Sequence, residues 1–197
     1  MIKTLLVALI LLPGVALAQD SAEVLRMFEA GQYQQVVDAA QPDASPEVLF
    51  TAAQSQLKLG ASDQARDVFR QLSSRGEGDP WHFVGQSGEQ LLDNDVDGAL
   101  ESARQAVNMN GDMAEGHYQL GLVLAKKQDW RPAAAAFDRA AELNPSHAYA
   151  HYYGGLMHYR ASRPDRMANH FEQFLKLAPE APERPEVLQI MRTVRGR

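Results

Sequence analysis

Apolar residues in this chain recur at the spacing of helices throughout. Val24, Leu25 and Phe28 share one helical face. After the turn Ala30-Gly31-Gln32-Tyr33, Val36, Val37 and Ala40 share another. Leu120, Gly121 and Leu124 lie together on a helix predicted over about Ala114 to Lys127. Ala133, Phe137 and Ala140 follow at steps of four and three on the next. Near the end, Val187, Ile190, Met191 and Val194 form a stripe at i, i+3, i+4 and i+7, which predicts a last helix with one apolar face. No run alternates as a half-buried strand would. The landmarks also repeat at a fixed interval of 34 residues. His117 recurs as His151, Gly121 as Gly155, Phe137 as Phe171, and Asn144-Pro145 as Ala178-Pro179. An interval of this length, with a helix pair inside it, predicts an array of two-helix units.

Each landmark has a packing reason. Gly121 lets two helices approach closely, and Ala133 and Ala140 do so for the facing helix. Phe137 fills the space between neighbouring hairpins. A lone hairpin cannot bury such a face and has to stack on another. Gly121, Ala133, Phe137, Ala140 and Pro145 resemble the pattern of the tetratricopeptide repeat. The next unit matches through Gly155, Phe171 and Pro179, with Met167 and Phe174 replacing two alanines. Earlier units begin at Pro80, with Ser87, Ala99, Ala103 and Ala106, and at Pro46, with Ala53, Ala65, Phe69 and Leu72. The resemblance covers residues 46–179. It implies an all-α, right-handed solenoid of stacked helix-turn-helix hairpins closed by a C-terminal capping helix. Units are expected near 21–41, 46–79, 80–113, 114–147 and 148–181, the first a shortened hairpin. Residues 182–197 form the capping helix and a basic tail with Arg184, Arg192, Arg195 and Arg197. The helix reads as a lid on the last hairpin, or as a partner-binding tail.

The resemblance also implies a concave surface lined by the first helix of each unit. Its residues here are Tyr149, Tyr152, Leu156, Tyr159 and Arg160, then Glu115, Tyr118, Leu122, Ala125 and Lys126, with Trp81, Val84, Leu91, Phe50, Leu57 and Lys58 upstream. Tyr118, Lys126, Tyr149, Tyr152, Tyr159 and Arg160 are the candidate partner-binding residues. An aromatic groove with phenolic groups and a basic rim suits a peptide. The same stripe could instead be core, packed against the last helix. The Lys, Asn and Arg pattern with which one subfamily grips a C-terminal carboxylate is absent, since Phe50, Val84, Tyr118 and Tyr152 stand at its key position.

Enzyme-like signals are sparse, and no cofactor is implied. His147, His151 and His158 fall roughly on one helical face and could hold a metal, although packing histidines explain them as well. Asp93, Asp95, Asp97 and Gly98 start like a calcium loop, but Arg104 stands where that loop needs a glutamate. The reading is a non-catalytic interaction scaffold. The alternatives are an accessory subunit of a secretion, pilus or outer-membrane assembly machine docking by its tail or convex face, and self-association.

Composition narrows the setting. The 197 residues include no cysteine and carry a formal charge of −6, so disulfides are excluded and nucleic acid is a poor partner. Residues 1–18 read as a cleaved signal peptide. Lys3 is the basic start, Leu5 to Leu12 are apolar, Pro13-Gly14 break the run, and Ala16-Leu17-Ala18 is the cleavage site. The apolar run is far shorter than the roughly 20 residues that span a bilayer. Cleavage leaves a periplasmic or secreted chain with no lipid-accepting cysteine and no inserted segment.

Overall fold

The computed structural model describes residues 21–195, with side chains to Val194. The segment read as a signal peptide and the last tail residue, Arg197, lie outside the described residues. So does the side chain of Arg195. Among the described residues there are eleven α-helices and no strand. They are α1 (Ser21–Glu29), α2 (Tyr33–Ala39), α3 (Pro46–Lys58), α4 (Ser62–Ser73), α5 (Pro80–Leu92), α6 (Val96–Met109), α7 (Ala114–Lys126), α8 (Trp130–Leu143), α9 (Ala148–Arg160), α10 (Pro164–Leu177) and α11 (Arg184–Arg195). Helices α3, α5, α7 and α9 begin 34 residues apart, and so do α4, α6, α8 and α10. The solenoid expected from the repeat is present, built from successive antiparallel hairpins. None of these helices is long and apolar enough to cross a membrane.

Local chemistry sets the helix ends. Pro46 and Pro80 open α3 and α5 where a missing N–H costs nothing, and Ser45 and Asp79 cap them from the preceding residue. Asp95 caps α6 by accepting from Gly98 N–H at 3.0 Å. Asp129 holds the same place before α8, but its side chain makes no capping bond. The turns repeat as faithfully as the helices. Gly60, Asn94, Gln128 and Ser162 each follow a first helix with φ between 57° and 77°. One glycine and three side-chain-bearing residues thus share a left-handed position that ends the helix and starts its partner.

Packing between paired helices rests on rings seated over glycines. A Cβ on Gly121 would lie 2.8 Å from the Phe137 ring, and one on Gly155 would lie 2.5 Å from Phe171. Both rings are fully buried, as are Ala133 and Ala140. Pro145 and Pro179 follow α8 and α10, where a helix cannot continue. The third unit uses a polar variant. Ser87 donates to the Ala99 carbonyl at 3.0 Å and accepts from buried Gln119 at 3.0 Å. The acidic turn is engaged within the fold: besides the Asp95 cap, Asp93 pairs with Arg66 and Asp97 with Lys127. At the far end, Val187 and Met191 of α11 are buried.

Truncating Phe137 to alanine removes a wholly enclosed ring and is expected to cost roughly 3–5 kcal/mol. Urea unfolding of the variant measures it. A change near zero would contradict the packing described.

Candidate functional site

The first helices converge on a shared aromatic interior. The Phe50 ring of α3 meets Tyr118 of α7 at 6.1 Å, edge on, across the intervening unit. Phe28 of α1 lies 4.8 Å from Tyr149 of α9. Phe50 also touches Trp81, and Tyr118 touches Tyr153. The residues expected to line an open groove are therefore enclosed. Phe50, Val84, Tyr118, Tyr149 and Tyr152 are each no more than 6 % exposed.

Two pieces of the chain complete the closure. The Glu183 carboxylate accepts from Tyr149 Oη at 2.6 Å and pairs with Lys58 Nζ at 2.6 Å. Glu186, in the first turn of α11, accepts from Tyr152 Oη at 3.0 Å. The Lys58 ammonium also sits 4.9 Å above the Tyr149 ring. From the other end, Tyr33 Oη lies 3.2 Å from Tyr149 Oη. Gly31, at φ 76°, lies so close to Pro182 that an added Cβ would stand 2.8 Å from the proline ring. Burial and the neighbouring Glu183 and Glu186 carboxylates push the Tyr149 and Tyr152 hydroxyls well above their ordinary pKa.

The groove reading needs correcting on this geometry. Tyr118, Tyr149 and Tyr152 are core, held by the chain's own ends rather than presented to a partner. Their aromatic character fills the space where the first helices meet. Lys126, Tyr159 and Arg160 are exposed near the C-terminal ends of α7 and α9. Arg160 stacks over Trp130 at 5.9 Å. These three do not form one surface with the buried tyrosines. The three-histidine metal reading is corrected too. His147 turns inward and stacks on Tyr118 at 4.8 Å, whereas His158 is bonded to Asp138 and His151 faces His170.

An opening remains at one mouth of the interior. A cavity of about 350 Å³ lies between α1, α3, α7 and the loop leading into α9. Leu25, Phe28, Phe50 and Tyr118 form its apolar wall, and Glu29, Glu47 and Glu115 its acidic side. Arg26 is the lining cation, and its Nε is spent on the Ala22 carbonyl at 3.2 Å. Burial pushes the Glu115 carboxyl up, and the Glu47 charge adds to the effect against its own backbone N–H. Glu29 is 5 % exposed. Burial raises its pKa to about 7 although it accepts the Ala148 N–H at 2.6 Å. Beside it, burial lowers His147 to about 4. Their closest atoms are 3.9 Å apart, too far for a hydrogen bond, so both groups are driven toward their neutral forms.

Sequence reasoning places Glu115 on the inner face but misses Glu29, Glu47, Glu183 and Glu186. Glu29 directly follows the apolar stripe of α1, and that adjacency is its one available signal.

Tetratricopeptide repeat family models match residues 118–182 and 47–75. The chain belongs to the tetratricopeptide repeat family. Solved tetratricopeptide repeat structures resemble it in fold. TTC0263, a thermophilic protein of Thermus thermophilus, has a TM-score of 0.59 at 20 % identity, covering 88 % of this chain and 98 % of that one. MamA has 0.51 at 17 % identity, covering 74 % and 84 %. YrrB, described as having an unusual peptide-binding site, has 0.50 at 18 %, covering 81 % and 80 %. No curated protein matches the sequence.

Two of the buried ionisable groups of this tetratricopeptide repeat protein, Glu29 and His147, give its stability opposite pH slopes. Glu29 holds its proton between about 4.5 and 7 in the folded state while the unfolded chain has lost it, so stability falls as pH rises through that window. His147 stays neutral when folded, so its contribution falls as pH drops from 6.5 toward 4. Glu29→Gln abolishes the first slope. Relative to wild type it is expected to gain roughly 2–3 kcal/mol between pH 4.5 and pH 8, read by urea unfolding at both values. Parallel pH profiles would show that Glu29 titrates normally.

Proposed function

We propose that this protein is a non-catalytic scaffold of the bacterial cell envelope that binds a basic, partly apolar segment of another protein. The segment enters the cavity between α1, α3 and α7 rather than lying along the inner face. The observation that carries this reading is the charge imbalance of the cavity. Glu47 and Glu115 flank an apolar wall and form no ion pair among the described residues, while Glu29 beside them is an acceptor held toward its neutral form. A lysine or arginine offers a cation for the acidic side and a methylene stem for the phenylalanines and Tyr118. The chain's formal charge of −6 favours approach by such a partner. The family fold supports an interaction role, because stacked hairpins supply shaped surfaces, and YrrB is described as having a peptide-binding site.

A phage-displayed library of random peptides, selected against the purified protein, tests the reading. Enriched peptides are expected to carry lysine or arginine beside an aliphatic or aromatic residue. Their affinity should fall about tenfold or more in the Glu47→Gln/Glu115→Gln variant, as expected for losing a charge-assisted bond. Enrichment without basic residues, or affinity unaffected by the double substitution, would overturn it.

The envelope setting rests on Met1–Ala18 as a cleaved leader. The protein recovered from a periplasmic or culture fraction should then have the intact mass of a chain beginning at Gln19. Recovery of the uncleaved chain in the cytoplasmic fraction would remove that part of the reading.

A further inference from the structure

Away from the cavity, three consecutive helices each contribute one polar group to a single point. Asp138 of α8 places Oδ1 2.9 Å from His158 Nε2 of α9 and 2.9 Å from His170 Nε2 of α10. The three donor atoms lie within 4.8 Å of one another. His158 is fully buried, and the side chains of His170 and Asp138 are 14 % and 21 % exposed. The second carboxylate oxygen, Oδ2, faces Arg166 at 3.4 Å, which leaves Oδ1 to the histidines.

The proton inventory of this cluster is short by one cation. His151 hydrogen-bonds the Pro145 carbonyl, and a carbonyl can only accept, so His151 is the donor there. Its repeat counterpart His117 makes the equivalent contact through Nε2, 3.0 Å from the Gly111 carbonyl. With Nε2 of His151 so committed, its Nδ1 is an acceptor in the neutral ring. That atom lies 3.2 Å from His170 Nδ1, which must therefore donate. In a neutral His170, the Nε2 that faces a carboxylate oxygen 2.9 Å away is then a lone pair. Either a further proton on that ring or a metal cation must stand between the two atoms. The Nδ1 of His158 is buried without a partner, so Asp138 holds the proton of the free protein on Nε2, the position a metal ion would take in its place.

We propose that Asp138, His158 and His170 form a binding site for one divalent transition-metal ion of the zinc type. Two imidazole nitrogens and one carboxylate oxygen are a ligand set suited to this ion, and they leave a fourth position for water. Tetrahedral zinc with bonds of about 2.0–2.1 Å has its ligand atoms about 3.3 Å apart, close to the carboxylate–imidazole separations here. His151 accepts the Nδ1 proton of His170 and orients that ring. The bound ion clips α8, α9 and α10 together, so it ties the last two hairpins of the array.

Untagged protein, stripped with EDTA, is titrated with Zn2+ by calorimetry and with Co2+ by visible absorption. One equivalent of each is expected to bind, with Co2+ giving visible d–d bands. Asp138→Asn should weaken binding by about tenfold or more, and His170→Gln at least as much, while His117→Gln leaves it unchanged. Because His158 and His170 are packed, a second measurement uses the wild type alone. Long-range 1H–15N spectra should show the Nε2 resonances of His158 and His170, and no other histidine pair, moving on addition of Zn2+. Absence of stoichiometric binding would identify the cluster as a proton-bridged hydrogen-bond network. That result, binding unchanged by Asp138→Asn, or shifts confined to other histidines would each overturn the proposal.

Discussion

Contact between first helices of units that are not neighbours is the constraint on which the rest of this structure depends. In a repeat array each hairpin ordinarily touches only the next. Here Phe50 reaches Tyr118 across a unit, and Phe28 reaches Tyr149 across three. Large rings on the inner face, seated against one another, draw the array into a tight curve. Small residues at the hairpin interfaces permit it. Gly85 packs so near the backbone of α4 that a Cβ would stand 2.5 Å from the Phe69 carbonyl oxygen. Once the curve closes, phenolic groups that water would otherwise have solvated need partners inside the molecule. Glu183, Glu186 and Tyr33 supply them.

That closure explains how the surface is divided. The inner face is core, so the opening that remains lies at its mouth, where α1 does not fully cover α3 and α7. The acidity there has the same origin. Glu29 is trapped beside the start of α9 because its carboxylate accepts an otherwise unpaired Ala148 N–H, and Glu115 is half-enclosed one unit earlier. Burying carboxylates is unfavourable, and that cost appears as the raised pKa of both Glu29 and Glu115.

The hairpins were legible in the sequence because the repeat motif reports contacts between adjacent helices. Gly121, Phe137 and Pro145 specify how one helix meets the next, and their recurrence at Gly155, Phe171 and Pro179 sets the register. Closure was not legible, since no residue of the motif encodes how far the array curves. The stripe Tyr149, Tyr152, Tyr159 has the same spacing whether it lines a groove or fills a core. In the folded chain, Tyr149 and Tyr152 are core and Tyr159 is at the surface. Pro182-Glu183 reads as a bend, with nothing local to show that Glu183 reaches Lys58. The cluster of Asp138, His158 and His170 was hidden for a related reason. Each residue comes from a different helix, so spacing along any one helix misses it and groups His158 instead with His147, which points elsewhere.

The contact of Gly31 with Pro182, and of Lys58 with Glu183, joins the two ends of the solenoid. An open array can fray unit by unit, each terminal hairpin peeling away independently of the other. A ring offers no such loose end: loosening α1 uncovers Tyr149, and releasing the segment before α11 uncovers the same ring from the opposite side. Melting should therefore behave as a single event rather than as a zipper, at the entropic expense of bringing distant chain segments together when the ring first forms.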